Sequence, residues 1–480
     1  MNLDTRAEAG RAMGRFDRRA WRAVAKTLAC VLLALTVVFG PGLIGWQTFD
    51  GLSPAGRASL GIMVLAAALW VSEAMPAFAV ALLVMGLQIA VLGRPGGVWA
   101  EAGDTKAWTV FVAEWASPTM WLFLGGFVLA HACSKTGLDR WMASALLGRL
   151  AGRPAALLAG VMGLTFVFSM FTSNTATAAM MMAVLSPLTL ALPKGSRLAR
   201  GLILSVAIAA NLGGIGTIIG TPPNAIAVER FPEGHRVDFF GWMLLALPPA
   251  LLLAAAAYAF IWHHWVKGEE GLAGGLAPGG RETEDDGKKR WHRWIVMAVF
   301  AVTVSLWLGE SLFKIPSPVV SFVPIVVLAV TGVIGNRDIR ELPWDVLILL
   351  AGGLSLGTGV QKSGLAEWLA AQVPGSLSPV GMAVAFCMTG VVLSNLMSNT
   401  AAAALLIPLG SGIVGPEDAP LLIFGVAMGC SASMALPIAT PPNAIAYATG
   451  RVTARDFLVP GIIAGIGILL VFPWFKLVGP

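Results

Sequence analysis

Charge is scarce in this sequence: Asp, Glu, Lys and Arg make up 12% of its 480 residues, against 57% hydrophobic. A soluble domain carries about 25% charged residues, so this composition excludes one. Apolar runs near the length that crosses a bilayer, about 20 residues, recur from end to end, and the chain reads as a polytopic membrane protein. Cysteine is scarce as well. Cys30, Cys133, Cys387 and Cys430 lie in or beside apolar segments without a Cys-x-x-Cys, and they read as small buried hydrophobes. The spans contain no nucleophile–base pair and no metal-ligand cluster, so nothing points to an enzyme.

The net charge of +6 is explained by position. Most of the Lys and Arg fall on one side of the assigned spans, which is the bias of cytoplasmic loops and not a nucleic-acid footprint. Residues 1–28 hold Arg6, Arg11, Arg15, Arg18, Arg19, Arg22 and Lys26 ahead of an apolar segment, 29–47. Without the short basic start and small-residue cleavage site of a signal peptide, this reads as a cytoplasmic tail and an uncleaved first helix.

The apolar pattern is duplicated. FLGGF (123–127) and SKTGL (134–138) are echoed by LAGGL (350–354) and QKSGL (361–365); Ser-Asn-Thr occurs at 173–175 and 398–400; TPPNAIA is identical at 221–227 and 440–446. Gly, Pro and mixed charge over 267–293 mark a solvated linker between the copies. The organisation is then a tail 1–28, a scaffold part 29–150 and a transport part 151–266, the cytoplasmic linker 267–293, and the same two parts again at 294–376 and 377–480. Helices are expected at 29–47, 58–75, 77–93, 117–133, 200–219, 240–265, 294–311, 318–335, 343–361, 418–438 and 457–477. Amphipathic stretches are expected at 138–150 and 362–375. An odd number of crossings in the first copy inverts the second. The predicted fold is all-α, with about 11 transmembrane helices, two re-entrant helical hairpins at 154–192 and 378–411, and an inverted-topology repeat, the pattern of secondary transporters.

Ser-Asn-Thr suits a helix N-cap better than a helix interior, and a break in the bilayer must be buried in protein or line a cavity. Each triplet therefore reads as a hairpin tip whose helix aims its positive dipole end at a common point, which favours an anion. Ser169 and Ser394 precede the tip serines by one helical turn and share a face with them. Their hydroxyls, with the Asn carbonyls, suit a small hard cation such as Na⁺ or, equally, a water. The paired prolines break the helix and free carbonyls near Gly220 and Ala439, while Thr221 and Thr440 offer hydroxyls to an anion. No Lys or Arg lies within the four motifs. A dianion there would be badly desolvated unless cations bound beside it supply positive charge. Proton coupling would call for Asp, Glu or His at mid-membrane depth; the nearest, His131, has Thr358 as its repeat counterpart.

These paired motifs resemble the divalent anion/sodium symporters, the dicarboxylate, citrate and sulfate carriers, over roughly residues 29–477. The resemblance implies one sodium site from Ser169, Ser173, Asn174 and the Gly220 carbonyl, and another from Ser394, Ser398, Asn399 and the Ala439 carbonyl. It implies substrate contacts from Ser173, Asn174, Thr175 and Thr221 on one side and Ser398, Asn399, Thr400 and Thr440 on the other. Two such half-sites suit succinate, malate or fumarate, with Na⁺ as the co-transported ion; sulfate or citrate symport and dicarboxylate exchange stay open, as does an ion channel, a different class. The resemblance also implies a homodimer, an elevator-like motion of the transport parts with 138–150 and 362–375 as arms, and a multi-pass place in a bacterial inner membrane with the N-terminus cytoplasmic.

Overall fold

The computed structural model describes residues 20–39, 49–101, 103–150, 152–270, 286–372 and 378–479. Helices account for the described residues' regular structure. In the first half α1 (Ala20–Phe39) is followed by α2 (Pro54–Ser72), α3 (Ala77–Leu87, running on into a wider turn over Gln88–Gly93), the short α4 (Thr109–Val112), α5 (Pro118–Thr136) and α6 (Leu138–Leu150). Then come α7 (Pro154–Phe171), α8 (Asn174–Ala191), α9 (Arg197–Ile215), α10 (Pro222–Arg230) and α11 (Phe239–Ile261). The second half has α12 (Asp286–Leu308), α13 (Glu310–Phe313), α14 (Ser317–Val320), α15 (Phe322–Val330), α16 (Asn336–Arg340), α17 (Trp344–Lys362) and α18 (Leu365–Gln372). It ends with α19 (Pro379–Ser394), α20 (Asn399–Ile413), α21 (Ala419–Ser431), α22 (Pro441–Ala448), α23 (Ala454–Gly467) and α24 (Val471–Val478). Among the described residues ten helices are long and apolar enough to cross a membrane.

Local chemistry sets many of these ends. Ser53, Ser196 and Ser378 cap α2, α9 and α19 by accepting the N–H groups of Gly56, Ala199 and Gly381, each worth about 1 kcal/mol. Gly137, at φ 66°, closes α5 in the left-handed region that a side chain disfavours. Pro248 inside α11 has no N–H for the carbonyl of Leu244; the indole of Trp474 donates to that oxygen at 3.2 Å instead.

Three expected boundaries are corrected. The first helix, expected at 29–47, is described over Ala20–Phe39. The linker ends before 293, because α12 begins at Asp286, and Arg293 donates to the Thr136 carbonyl at the end of α5 at 2.8 Å. In both cases a basic stretch continues a helix beyond its apolar part. The single helix expected at 318–335 is two pieces, α14 and α15, because Pro324 cannot donate to the carbonyl of Val320. The remaining tail (1–19), the stretch 40–48 and the end of the second amphipathic stretch (373–377) lie outside the described residues.

Two helices form the centre. The apolar window of α9 is 94% buried, and every residue of α21 is buried. Both run directly into the Thr-Pro-Pro-Asn breaks. Around them the halves are crossed. α5 packs against α12, α14 and α15 of the second half, and α17 packs against α2, α3 and α4 of the first. The duplicated Gly-Gly pairs make the crossing possible: a Cβ on Gly125 would come within 2.6 Å of Ser321, and one on Gly352 within 2.4 Å of Ala81.

Candidate functional site

The Ser-Asn-Thr triplets sit between two helices in each half. Ser173 is the N-cap of α8, its Oγ accepting from the N–H of Ala176 at 3.1 Å. Ser398 caps α20 in the same way, accepting from Ala401 at 3.2 Å. In both cases, among the described residues, the cap leaves the other first N–H groups of the helix free of side-chain caps beside the triplet.

In the first half the structure brings Ser169, Asn174 and Gly220 together. Asn174 Oδ1 lies 2.6 Å from Ser169 Oγ. The same end of the amide is 3.2 Å from the Gly220 carbonyl and 3.2 Å from that of Ala210. Ser169 Oγ is also 2.6 Å from the Ala210 carbonyl, so its one proton is shared between two acceptors. Turned about, the Asn174 amide donates its N–H groups to Ser169 Oγ and to the Gly220 and Ala210 carbonyls, which satisfies the cluster without a ligand; with Oδ1 inward, four oxygens would face one another and would call for a cation. Gly214 keeps the space, since a Cβ there would lie 2.4 Å from Asn174 Oδ1.

The second half holds its oxygens unpaired. Ser394 Oγ and Asn399 Oδ1 are buried without a hydrogen-bond partner among the described residues, as is Ser431 Oγ. A buried oxygen left so costs about 1–3 kcal/mol, which a bound cation would recover. Thr400 is buried whereas its counterpart Thr175 is exposed, so the halves are not equivalent in their surroundings.

The breaks are braced by the motif asparagines. Asn224 Nδ2 donates to the carbonyls of Gly214, Ile215 and Thr217 at 3.0, 3.2 and 2.7 Å, leaving Gly220 O to face Asn174. Asn443 Nδ2 donates to Met434 and Leu436 at 2.9 Å each, in the segment leading to Ala439. Thr221 and Thr440 are the N-caps of α10 and α22 and are both buried. The two halves interlock here: α22 packs on α8 and α9, and α10 on α20 and α21. Asn211 of α9 donates to Thr440 Oγ1 at 3.1 Å and to Asn443 Oδ1 at 3.0 Å.

The sequence profile of the citrate transporter family matches residues 67–429, well over half of the chain and spanning both halves just described. This chain belongs to the citrate transporter family. The resemblance to divalent anion/sodium symporters is borne out by relatives along nearly the whole length. The sodium-dependent dicarboxylate transporter SdcS of Staphylococcus aureus, in strains bovine RF122 / ET3-1 and MSSA476, is 28% identical over 92% of this chain and 89% of the relative. Two solved transporters share the fold. YdaH of Alcanivorax borkumensis superposes with a TM-score of 0.54 at 14% identity, covering 84% of this chain and 100% of that one. MtrF of Neisseria gonorrhoeae superposes with a TM-score of 0.51 at 11% identity, covering 89% and 96%.

Sequence reasoning missed Asn211 and Arg230, and it gave the motif asparagines Asn224 and Asn443 no role of their own. Arg230 ends α10 and reaches the turn after α4, with Nη2 3.8 Å from Glu114 Oε1, and α17, where it donates to Thr358 Oγ1 at 3.2 Å. The signal for Asn211 was present: it is a lone amide in the apolar run SVAIAANLGG. His131, the histidine nearest to mid-membrane depth, has carboxylate and lysine neighbours. Its Nε2 is 3.2 Å from Asp338 Oδ1, and Lys135 Nζ is 2.6 Å from Oδ2 of the same carboxylate. This is a brace from α5 to α16.

Proposed function

We propose that this chain is a sodium-coupled importer of a divalent anion, a C4 dicarboxylate such as succinate, malate or fumarate. The observation that carries the reading is the pair of buried, unpartnered oxygens at Ser394 and Asn399, matched in the first half by the gathering of the Asn174 amide, Ser169 Oγ and the Ala210 and Gly220 carbonyls at one point. Such oxygens suit Na⁺ at unwound helix segments. Two cations bound there supply the positive charge that the motifs lack, and the N-termini of α8 and α20 with Ser173, Asn174, Thr175, Ser398, Asn399 and Thr400 meet the anion's oxygens. Thr221 and Thr440 complete the two ends. The name of the Staphylococcus aureus relatives supports sodium and a dicarboxylate. The family's description favours citrate as a second reading, and hydroxyl and amide donors accept sulfate as well.

In this reading α7–α8 and α19–α20 are re-entrant hairpins in an inverted repeat, carried with α9–α10 and α21–α22 as one moving unit. α6 and α18 are its arms, and the crossed scaffold is the fixed part of a homodimer in the bacterial inner membrane, N-terminus inside. A neutral site loaded with two cations and a dianion carries little net charge through the field. The test is uptake of labelled succinate, citrate and sulfate into proteoliposomes with inward Na⁺ or choline gradients. Saturable, Na⁺-driven accumulation of succinate is expected. Equal uptake in choline would indicate exchange, and preference for citrate or sulfate would replace the solute.

A further inference from the structure

The two Thr-Pro-Pro-Asn motifs are identical in sequence but differ in what surrounds them. Thr440 Oγ1 receives the Nδ2 of Asn211 at 3.1 Å and the N–H of Asn443 at 3.4 Å. A hydroxyl has two lone pairs and one proton. With both lone pairs approached by N–H donors, the proton is left to point elsewhere, and among the described residues no protein group accepts it. Thr221, the counterpart, makes no capping bond with its side chain.

The second hydrogen of Asn211 Nδ2 goes to Asn443 Oδ1 at 3.0 Å. This fixes which way the Asn443 amide faces, and so holds its Nδ2 on the Met434 and Leu436 carbonyls. Counting back from each Thr-Pro-Pro-Asn, the place of Asn211 is held in the second half by Cys430. A thiol is a weak donor. The sulfur of Cys430 lies beside Gly390 of α19, and Asn224 Oδ1, the counterpart of Asn443 Oδ1, is buried without a partner. The brace therefore runs one way only, from the first half to the second.

The geometry points to Asn211 as a positioning residue that presents the Thr440 hydroxyl as a ready hydrogen-bond donor to one end of the transported anion, so that this end is held more tightly than the end at Thr221. The residue before Asn211 supplies the Ala210 carbonyl of the first oxygen cluster. One turn of α9 thus touches the cation-binding oxygens of one half and the anion-binding hydroxyl of the other. This inference rests on the anion-transport reading of the site and adds an order to it: the oxyanion group that every substrate must share binds at Thr440, and variation among solutes is tolerated at Thr221.

The experiment compares Thr440→Ala with Thr221→Ala, and adds Asn211→Cys, which gives the first half the second half's residue. Half-saturation for labelled succinate at saturating Na⁺ is measured in proteoliposomes, alongside the thermal shift that Na⁺ alone gives the purified protein. Thr440→Ala is expected to raise half-saturation about tenfold more than Thr221→Ala, the loss of one hydrogen bond to a charged group. Asn211→Cys is expected to raise it about tenfold while leaving the Na⁺-only shift in place, a split that a merely structural role would not produce. Equal costs at the two threonines would overturn the inference, and so would an Asn211→Cys protein within about twofold of the native value. If Asn211→Cys does not fold, the threonine comparison decides alone. Native protein that takes up succinate equally well in choline would instead overturn the sodium-coupled reading, and the threonine comparison would still be read on the native uptake.

Discussion

Arg230 at the end of α10 and Glu114 just after α4 face each other, Nη2 to Oε1 at 3.8 Å, with side chains only 9% and 17% exposed. Thr358 donates to the same carboxylate at 2.5 Å, and the neighbouring Glu229 accepts from Thr119 of α5 at 2.5 Å. Truncating one partner of a buried pair leaves the other charge uncompensated, at about 3–5 kcal/mol. Glu114→Ala should therefore lower the thermal midpoint of the purified protein, and Glu114→Leu with Arg230→Leu should recover most of the loss. If α10 travels relative to α5, a disulfide between Thr119→Cys and Glu229→Cys stops uptake and a reductant restores it. Undiminished uptake by the oxidised protein would mean that the two helices move together.

Gly214 leaves no room beside the Asn174 amide. Gly214→Ala should push that amide out of the oxygen cluster, raising the Na⁺ concentration for half-maximal uptake about tenfold, an effect of about 1.4 kcal/mol. Ser169→Ala should act in the same direction, with a smaller effect on succinate half-saturation at saturating Na⁺. The reverse pattern in uptake kinetics would remove both residues from the cation site.

Asn174 and Asn399 are the first residues of α8 and α20. Asn174→Ala and Asn399→Ala should each abolish measurable uptake while the protein stays inserted and soluble in detergent as a single species. Normal uptake by both would dismiss the triplets as the site.

Asp338 gives a pH prediction outside the membrane-spanning helices. Burial raises the pKa of its carboxyl. The Lys135 ammonium, the Gly335 N–H and His131 outweigh that and bring it down to about 2. A carboxylate whose pKa is lower in the folded than in the unfolded chain, about 3.9 when free, stabilises at neutral pH, and the contribution fades as pH falls from about 4 towards 2. Lys135 is partly exposed, so screening keeps the contribution to about 1–2 kcal/mol. Asp338→Asn should lower the thermal midpoint at pH 7 and narrow its gap to the native protein at pH 3. A gap that stays constant from pH 7 to pH 3 would remove the carboxylate's role.

Much of the fold could be read from apolar runs and their interruptions. Helix α6 falls where the amphipathic stretch 138–150 was expected, and the helices meeting at each Ser-Asn-Thr fall within 154–192 and, to two residues, 378–411. Boundaries slipped where a helix outruns its apolar part, at α1 and α12, because Lys and Arg favour solvent without disfavouring helix. The motif residues were legible because they are duplicated. Asn211 and Arg230 were not, because each acts through partners more than a hundred residues away, in Thr440 and Asn443 for one and Glu114 and Thr358 for the other. A lone polar residue in an apolar run does not name its partner.

The most direct measurement is succinate binding to the purified protein in Na⁺ and in choline, together with Na⁺ binding with and without succinate. If bound cations provide the charge that holds the dianion, succinate affinity should fall about a hundredfold or more in choline, and succinate should tighten Na⁺ by the same factor, as reciprocity requires. Succinate that binds equally well in choline would contradict the account.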